Sequence, residues 1–229
     1  MTQRVAIFID GSNLYHSLEE NCGRMDLDFL GFGKKLVKDR DLFRVYYYNI
    51  LQDPERKSQG YQDQQKFLST LYNIPLFEVR LGTSKMRGDV MVEKGVDIML
   101  ATDLLQFAWR GLYDVAVLVT GDGDFTYAVQ TVKNLGKYVE VAAFPSNLSW
   151  DLSQVADDRQ YLDPEFFSDL WVTSKGSPAT RRRRFRGKRG DRFTSAGGQP
   201  AGQSQPPAQP APSPAAPPAP PPPSWGSGS

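Results

Sequence analysis

The chain has 229 residues, a single cysteine and a formal net charge of +1. One cysteine excludes an intramolecular disulfide, and no apolar run reaches the roughly 18 residues needed to span a bilayer, so we expect a cytoplasmic protein. The small net charge hides an asymmetry, because residues 175–192 hold nine of the 27 basic residues beside one acid and leave 25 acidic against 18 basic residues elsewhere.

Composition divides the chain into three parts. Twelve of the 17 prolines lie from Pro200 onward, in a stretch of Pro, Ala, Gln, Gly and Ser that cannot bury enough surface to fold. We expect one folded domain at residues 1–173, a disordered Arg/Gly-rich arm at residues 174–198 and a disordered Pro/Ala-rich tail at residues 199–229. The tail is expected to be an extended spacer, with docking to a protein partner as the alternative.

Strands and helices alternate along the first 145 residues. Apolar, β-branched runs predict strands, and longer runs with helical spacing predict helices. This alternation is typical of an α/β fold with a mostly parallel central sheet flanked by helices. The predicted strands lie at residues 5–9, 43–50, 76–81, 115–119 and 139–144, the predicted helices at residues 12–21, 29–38, 62–72, 96–109 and 125–135, and a loop at residues 82–88.

Carboxylates follow two of these apolar strands. Asp10 comes directly after the first strand, and Asp122 and Asp124 follow the fourth in a Gly-Asp-Gly-Asp run. In open α/β sheets, ligands bind beyond the carboxyl ends of the strands, where neighbouring strands are about 5 Å apart. If the two strands are neighbours, the three carboxylates converge on a volume that they can share only with a cation. Oxygen ligands of this kind predict Mg²⁺ or Mn²⁺.

Each of these residues also has a structural alternative. Asp10 and Asn13 are both suited to cap the helix that follows the first strand. In the functional interpretation, Asn13 orients Asp10 or contacts a phosphate group. One of Asp122 and Asp124 is expected to cap the helix after the fourth strand, which leaves at least one of them, with Asp122 favoured, to face the site.

Three further polar residues lie on predicted helices. Asp97 opens the helix at residues 96–109, where a carboxylate also suits the positive end of the helix dipole. Asp103 lies about 120° around that helix from Asp97, so we expect it to be a hydrogen-bond anchor rather than a ligand of the same ion. His16 is the sole histidine, which excludes a His-rich zinc site, and we expect it to be structural.

Three motifs, in this order and spacing, resemble the NYN domain of the LabA-like group, a branch of the PIN-like ribonucleases. The resemblance covers roughly residues 3–165 and implies a PIN-like three-layer fold whose five strands have the order 3-2-1-4-5. The motifs are Phe8-Ile9-Asp10-Gly11-Ser12-Asn13-Leu14, Lys94-Gly95-Val96-Asp97-Ile98 with Asp103-Leu104-Leu105, and Thr120-Gly121-Asp122-Gly123-Asp124-Phe125.

The resemblance also implies a metal-dependent ribonuclease that hydrolyses RNA with Mg²⁺ or Mn²⁺. Many relatives have serine where this chain has Gly123, so one side-chain hydroxyl is missing here. Carried over to the matching positions, the metal ligands are all aspartates, and the catalytic set adds one asparagine to them. These residues are Asp10, Asp97, Asp122 and Asp124 as ligands, with Asn13 as the supporting residue.

An acidic pocket needs positive charge from elsewhere to bind a polyanion. Lys85, Arg87 and Lys94 lie in or after the predicted loop and are candidate phosphate contacts, with simple solvation as the alternative. The basic arm offers further phosphate contacts, and its phenylalanines can stack on unpaired bases. Its arginines are Arg181, Arg182, Arg183, Arg184 and Arg186.

The substrate class follows from the basic arm. Flexible arginine-rich segments and stacking suit unpaired strands, so single-stranded RNA is the expected substrate and partner, and no membrane is involved. The alternative is a non-catalytic RNA-binding or gene-regulatory module that keeps the same fold. The sequence leaves the oligomeric state open.

Overall fold

The computed structural model describes residues 2–52, 59–87 and 90–173, and it describes their side chains except those of residues 84–94. The predicted basic arm and Pro/Ala-rich tail lie outside the described residues, so the division of the chain at residue 173 stays a prediction. Among the described residues, no helix has the length and apolar character required to cross a membrane.

The described residues form seven strands and six helices. Every predicted strand and helix is present, and β3 alone has an end that differs by more than three residues from its predicted position. The strands are β1 (Arg4–Asp10), β2 (Asp41–Leu51), β3 (Phe77–Arg87), β4 (Val90–Lys94), β5 (Val115–Val119), β6 (Tyr138–Ala143) and β7 (Asp158–Tyr161). The helices are α1 (Gly11–Cys22), α2 (Phe29–Val37), α3 (Gln59–Tyr72), α4 (Val96–Trp109), α5 (Thr126–Asn134) and α6 (Trp150–Val155), with a 3₁₀ turn at Gly123–Phe125 before α5.

All seven strands belong to one sheet with the order β4-β3-β2-β1-β5-β6-β7. Every pairing is parallel except that of β3 with β4. The five predicted strands correspond to β1, β2, β3, β5 and β6, so the expected order 3-2-1-4-5 is confirmed. The structure adds one short strand at each edge of the sheet.

The loop expected at residues 82–88 is wrong. The strand β3 continues to Arg87 and pairs antiparallel with β4, from Thr83 opposite Lys94 to Arg87 opposite Val90. The polar side chains of this segment suggested a loop, but exposed edge strands commonly carry charged and polar residues. The polar strand β7 at the other edge escaped prediction for the same reason.

Two apolar layers cover the two faces of the sheet. Successive residues of β1 enter opposite layers, with Val5 and Ile7 packed under α1 and α2, and Ala6 and Phe8 packed under α4 and α5. Strands buried on both faces read as continuous apolar runs, which is why β1 and β5 were readily predicted. The three-layer arrangement leaves the carboxyl ends of these strands as the accessible edge of the sheet.

A buried ion pair links the start of β2 to β6. The Glu140 carboxylate, whose side chain is 4% exposed, accepts hydrogen bonds from both terminal nitrogens of the Arg40 guanidinium, one of them at 3.0 Å. The Gln160 side-chain amide donates to the same carboxylate at 2.6 Å. These donors compensate a charge that could not otherwise be buried at this position.

Replacing Arg40 by methionine should destabilise the fold. The substitution keeps an apolar stem of similar length but leaves the Glu140 carboxylate buried without its cation, which typically costs about 3–5 kcal/mol. Chemical denaturation of the full chain measures the change. The matched control is Arg4→Met at the exposed Arg4–Asp114 pair, which should change the unfolding free energy little. Equal effects of the two substitutions would contradict this assignment.

Candidate active site

The candidate site lies where the strand order reverses. β1 pairs with β5 in parallel, with Ile9 opposite Val119, while β2 lies on the other side of β1. The turns that leave β1 and β5 therefore emerge side by side at the carboxyl edge of the sheet. This is the position at which open α/β sheets bind their ligands.

A pocket of about 270 Å³ opens at this edge. Three of the four predicted metal ligands line it, namely Asp10, Asp97 and Asp122, and so does Asn13. They come from the end of β1, the first turn of α1, the start of α4 and the turn after β5. Asp124 is exposed outside the pocket lining, although its charge still acts on Asp97.

Asp10 both caps α1 and lines the pocket. It caps α1 by accepting a hydrogen bond from the Asn13 backbone N–H at 3.1 Å. Its second carboxylate oxygen accepts from the Thr120 hydroxyl at 3.2 Å, at the end of β5. Because the residue is only 6% exposed, these two donors fix the direction in which its carboxylate points.

Asn13 joins the two turns of the site. Its side-chain oxygen accepts a hydrogen bond from the Gly121 backbone N–H at 3.1 Å, while the cap of α1 is provided by Asp10. The Asp122 backbone N–H donates to the Thr120 hydroxyl at 3.2 Å, and the Asp122 carboxylate accepts from the Asp124 N–H at 3.0 Å. Asp122 is thus the capping aspartate of its pair, and it caps the 3₁₀ turn.

Gly121 allows the turn after β5 to pass close to the next loop. A Cβ at this position would lie 2.6 Å from the Asn147 carbonyl carbon and 3.1 Å from the Leu148 nitrogen. The Gly121 carbonyl accepts a hydrogen bond from the Ser149 N–H at 2.8 Å, which holds the two segments together. Glycine is required here because backbone occupies the space of a side chain.

Two carboxylates of the pocket, those of Asp10 and Asp97, have raised pKa values. Burial raises the pKa of Asp10, and the charges of Asp97 and Asp122 add to the increase, while its two hydrogen bonds oppose it. The pKa of Asp97 is raised as well, first by partial burial and then by Asp122 and Asp124. The side chains that the structure describes at this end of the sheet therefore compensate the negative charge poorly, and a cation would relieve the repulsion.

The donor set fits a hard divalent cation in its chemistry. All candidate ligands are carboxylates, which Mg²⁺ and Mn²⁺ prefer, and they converge on one pocket. Across residues 2–52, 59–83 and 95–173, no three His, Cys, Asp or Glu side chains are grouped closely enough to hold a metal ion. Asp10, Asp97, Asp122 and the nearby Asp124 could therefore hold a cation only if their side chains closed around it.

Asp103 is the hydrogen-bond anchor that its place on the helix predicts. Its carboxylate accepts from the Tyr48 hydroxyl at 2.9 Å, and the Arg80 guanidinium lies 3.7 Å away. Burial and the neighbouring Asp103 charge raise the pKa of the Tyr48 phenol. This contact ties α4 to β2 and so helps to place Asp97, which lies earlier on the same helix.

Several lining residues were not anticipated as part of the site. His16, expected to be structural, is exposed on α1 and lines the pocket together with Ser12 and Ile50. The Ser12 hydroxyl donates to the Asn49 side-chain oxygen at 3.3 Å, which connects α1 to the end of β2. The rule that located Asp10 could have located these residues, because β2 also ends at this edge.

The predicted RNA contacts cannot be placed in the pocket. The side chains of Lys85, Arg87 and Lys94 fall outside the described ones, although β3 and β4 carry their backbone. The predicted arginines of the basic arm lie beyond the described residues. Their role stays a prediction.

The fold and the acidic pocket define an α/β protein of the PIN-like class. A family model described as the NYN domain matches residues 4–163, and the chain belongs to this family. NYN domains are in general PIN-like nucleases, which suggests a ribonuclease-type function.

Individual relatives agree with this assignment. The chain is 24% identical over 165 residues to the low amplitude and bright protein LabA of Synechococcus elongatus, a match that covers 70% of this chain and 83% of that protein. It is also similar in structure to a Vibrio parahaemolyticus protein of unknown function, with a TM-score of 0.59 and 26% identity. That match covers 72% of this chain and 96% of the other.

Gly121→Ala should disrupt the site and lower stability. The added methyl group would overlap the Asn147 backbone, so one of the two segments has to move and the contact with Asn13 weakens. Thermal unfolding is the measurement. Gly33→Ala is the control, because a Cβ there makes ordinary contacts at 3.6 Å inside α2 and should be neutral or slightly stabilising. A neutral Gly121→Ala would contradict the close approach.

Asp10→Asn should stabilise the metal-free protein at pH 7. A raised folded-state pKa means that protonated Asp10 favours the fold below about pH 4, and that this contribution is lost as the pH rises through the folded pKa. Asparagine stays neutral, so the variant should unfold at higher denaturant in EDTA at pH 7. The difference should shrink towards pH 4.

The matched control for this comparison is Asp39→Asn. Asp39 is exposed and lies just before β2, at the amino ends of the strands and therefore opposite the site. It should show no gain in stability at either pH. An Asp10→Asn variant that is less stable than the parent at pH 7 would refute the charge repulsion inferred for the pocket.

Proposed function

We propose that this protein is a ribonuclease that hydrolyses RNA phosphodiester bonds with the help of Mg²⁺ or Mn²⁺. The observation that carries the proposal is the convergence of Asp10, Asp97 and Asp122 on one pocket at the carboxyl edge of the sheet. The raised pKa values of Asp10 and Asp97, to which the neighbouring carboxylates contribute, mark a site that favours cations. Membership of the NYN family supports the same conclusion.

The protein's own contribution to the reaction is the placement of charge. Thr120 and the Asn13 N–H orient the Asp10 carboxylate, and the Asn13 side chain holds the turn that carries Asp122. Asp124 adds negative charge at the rim of the pocket. When bound, a divalent cation would polarise the scissile phosphate and lower the pKa of the attacking water.

The proposed substrate is single-stranded RNA. The pocket repels a polyanion unless cations are supplied, so phosphate contacts are assigned to Lys85, Arg87 and Lys94 and to the arginine-rich arm at residues 174–198. Unpaired strands suit such an arm because their bases are available for stacking. A cytoplasmic location is part of the same proposal, as is a Pro-rich tail that serves as a spacer, with docking to a protein partner as the alternative.

A second candidate is an RNA-binding or gene-regulatory module without catalysis. The observation in its favour is that Asp124 lies outside the pocket lining and that the described carboxylates do not form a tight group of three. Such a module would keep the fold and bind RNA mainly through its basic arm. It predicts that RNA binds equally well with and without a divalent metal and that the RNA is not cleaved in either case.

Asp122→Asn should abolish cleavage and leave RNA binding intact. The change removes a charge from the pocket but keeps the shape of the side chain, so the rate should fall by a factor of about 10² or more. An end-labelled single-stranded RNA is incubated with the full chain in Mn²⁺, in Mg²⁺ and in EDTA. Fluorescence anisotropy measures binding in parallel.

Asp39→Asn is the control, since it removes the same charge at an exposed position away from the pocket. It should cleave as the parent does. If Asp122→Asn cleaves RNA as fast as the parent does, the proposed assignment of the active site is refuted. Binding without cleavage in either metal would favour the regulatory module.

A further inference from the structure

A second cavity opens beside the carboxylate pocket. Its volume is about 640 Å³, and it lies between α1, the end of β2 and the start of α3. Ser12, His16 and Ile50 line both cavities, so the two form one continuous depression. We refer to the larger part as the side groove.

The floor of the side groove is a packed aromatic cluster. The rings of Phe29, Tyr47 and Phe67 lie 5.4–5.7 Å from one another, centroid to centroid. Phe29 and Tyr47 also belong to the apolar core under α1 and α2, so the floor is part of the fixed interior. Burial raises the pKa of the Tyr47 phenol, and its hydroxyl accepts a hydrogen bond from the Asn49 side chain at 2.9 Å.

One wall of the side groove carries an exposed aromatic ring. Tyr15 projects from α1 and is 46% exposed, and its ring meets His16 edge to face at 5.6 Å. On α1, Tyr15 directly precedes His16, which lines both cavities, and so lies beside the carboxylate pocket.

The lining of the side groove suits a neutral, planar group. Among the described residues that line it, Asp63 is the single carboxylate and none is lysine or arginine, so these residues offer no cation to a phosphate. Apolar and aromatic side chains form most of its surface, with the Gln52 amide and the Ser12 hydroxyl among the polar groups. Its volume lies within the range of about 300–1,000 Å³ that is usual for ligand sites.

We infer that the side groove binds a nucleobase of the RNA strand whose phosphodiester occupies the carboxylate pocket, and that Tyr15 stacks on this base. The inference rests on the proposed ribonuclease function, because the occupant follows from continuity with a phosphodiester site. A base that flanks the scissile phosphate would enter the groove past Ser12 and His16. Stacking on an aromatic ring accepts any base, so the groove positions the strand and selects against paired RNA.

The test measures RNA affinity in an Asp122→Asn background, which prevents cleavage. The probe is a fluorescein-labelled uridine decamer in Mg²⁺, with the full chain. Adding Tyr15→Ala should weaken binding at least about five-fold, and Tyr15→Phe should restore it. Tyr72→Ala is the matched control, because Tyr72 is 61% exposed at the end of α3 and lies outside the groove lining; it should have no effect.

A second measurement locates the base. Decamers with one abasic position, moved along the strand, should show a loss of affinity at one or two positions when Tyr15 is present. The loss at those positions should vanish in Tyr15→Ala. Partial unfolding of the variant would instead weaken binding of every decamer alike and leave the relative abasic profile unchanged. Circular dichroism of the Tyr15→Ala variant tests whether the helices are retained.

The outcomes separate this inference from the proposed function. Equal affinities and equal abasic profiles for Tyr15→Ala and Tyr72→Ala would overturn the base site, even if the chain with Asp122 cleaves RNA. A loss of RNA affinity in Tyr15→Ala, together with no metal-dependent cleavage by the chain that retains Asp122, would support the base site and overturn the ribonuclease function. A Tyr15→Ala variant that changes only the sedimentation of the protein would assign the groove to protein contact and overturn the inference.

Discussion

The parallel pairing of β1 with β5 determines where this protein can do chemistry. It brings the turn after Ile9 next to the turn after Val119, although more than a hundred residues separate them in the sequence. The hydrogen bonds from Thr120 to Asp10 and from Gly121 to Asn13 then lock the two turns together. Asp10 and the turn that carries Asp122 are thus each held by a partner from the other strand's turn, so these two carboxylates share one frame.

This frame works against an intrinsic repulsion. Asp10 is buried and feels the charges of Asp97 and Asp122, so ionisation of the pocket opposes folding. Apolar strands buried on both faces and the Arg40–Glu140 pair provide stability elsewhere in the sheet. A site whose described side chains leave its negative charge uncompensated is suited to bind a cation, because the bound cation reduces the repulsion between the carboxylates.

The predictability of the fold followed the burial of its elements. β1 and β5 lie in the centre of the sheet, and their continuous apolar runs located β5 to the residue and β1 within one residue at each end. The helix α4, which packs on one face of the sheet, was also located to the residue. β4 and β7 lie at the two edges of the sheet, and sequence patterns did not identify them. β7 has the polar composition of a loop, and the apolar run of β4 is only three residues long, Val90–Val92. In the site, strand positions predicted that Asp10 and Asp122 would meet and the family resemblance added Asp97, whereas Asp124 lies outside the pocket lining. The cross-strand roles of Asn13 and Gly121 depend on contacts that only the folded chain makes.

The side groove shows why a site can be wider than its sequence motifs. Its floor uses Phe29, Tyr47 and Phe67, residues whose apolar character is fully explained by core packing. Nothing in the sequence distinguishes such residues from the rest of the core, and only the gap left between α1 and α3 exposes them. Because the floor is also core, its shape is as fixed as the sheet itself. The acidic pocket and the mostly apolar side groove therefore form one surface with two chemistries, which is the basis for our proposal that a phosphate and a base of one RNA strand occupy them.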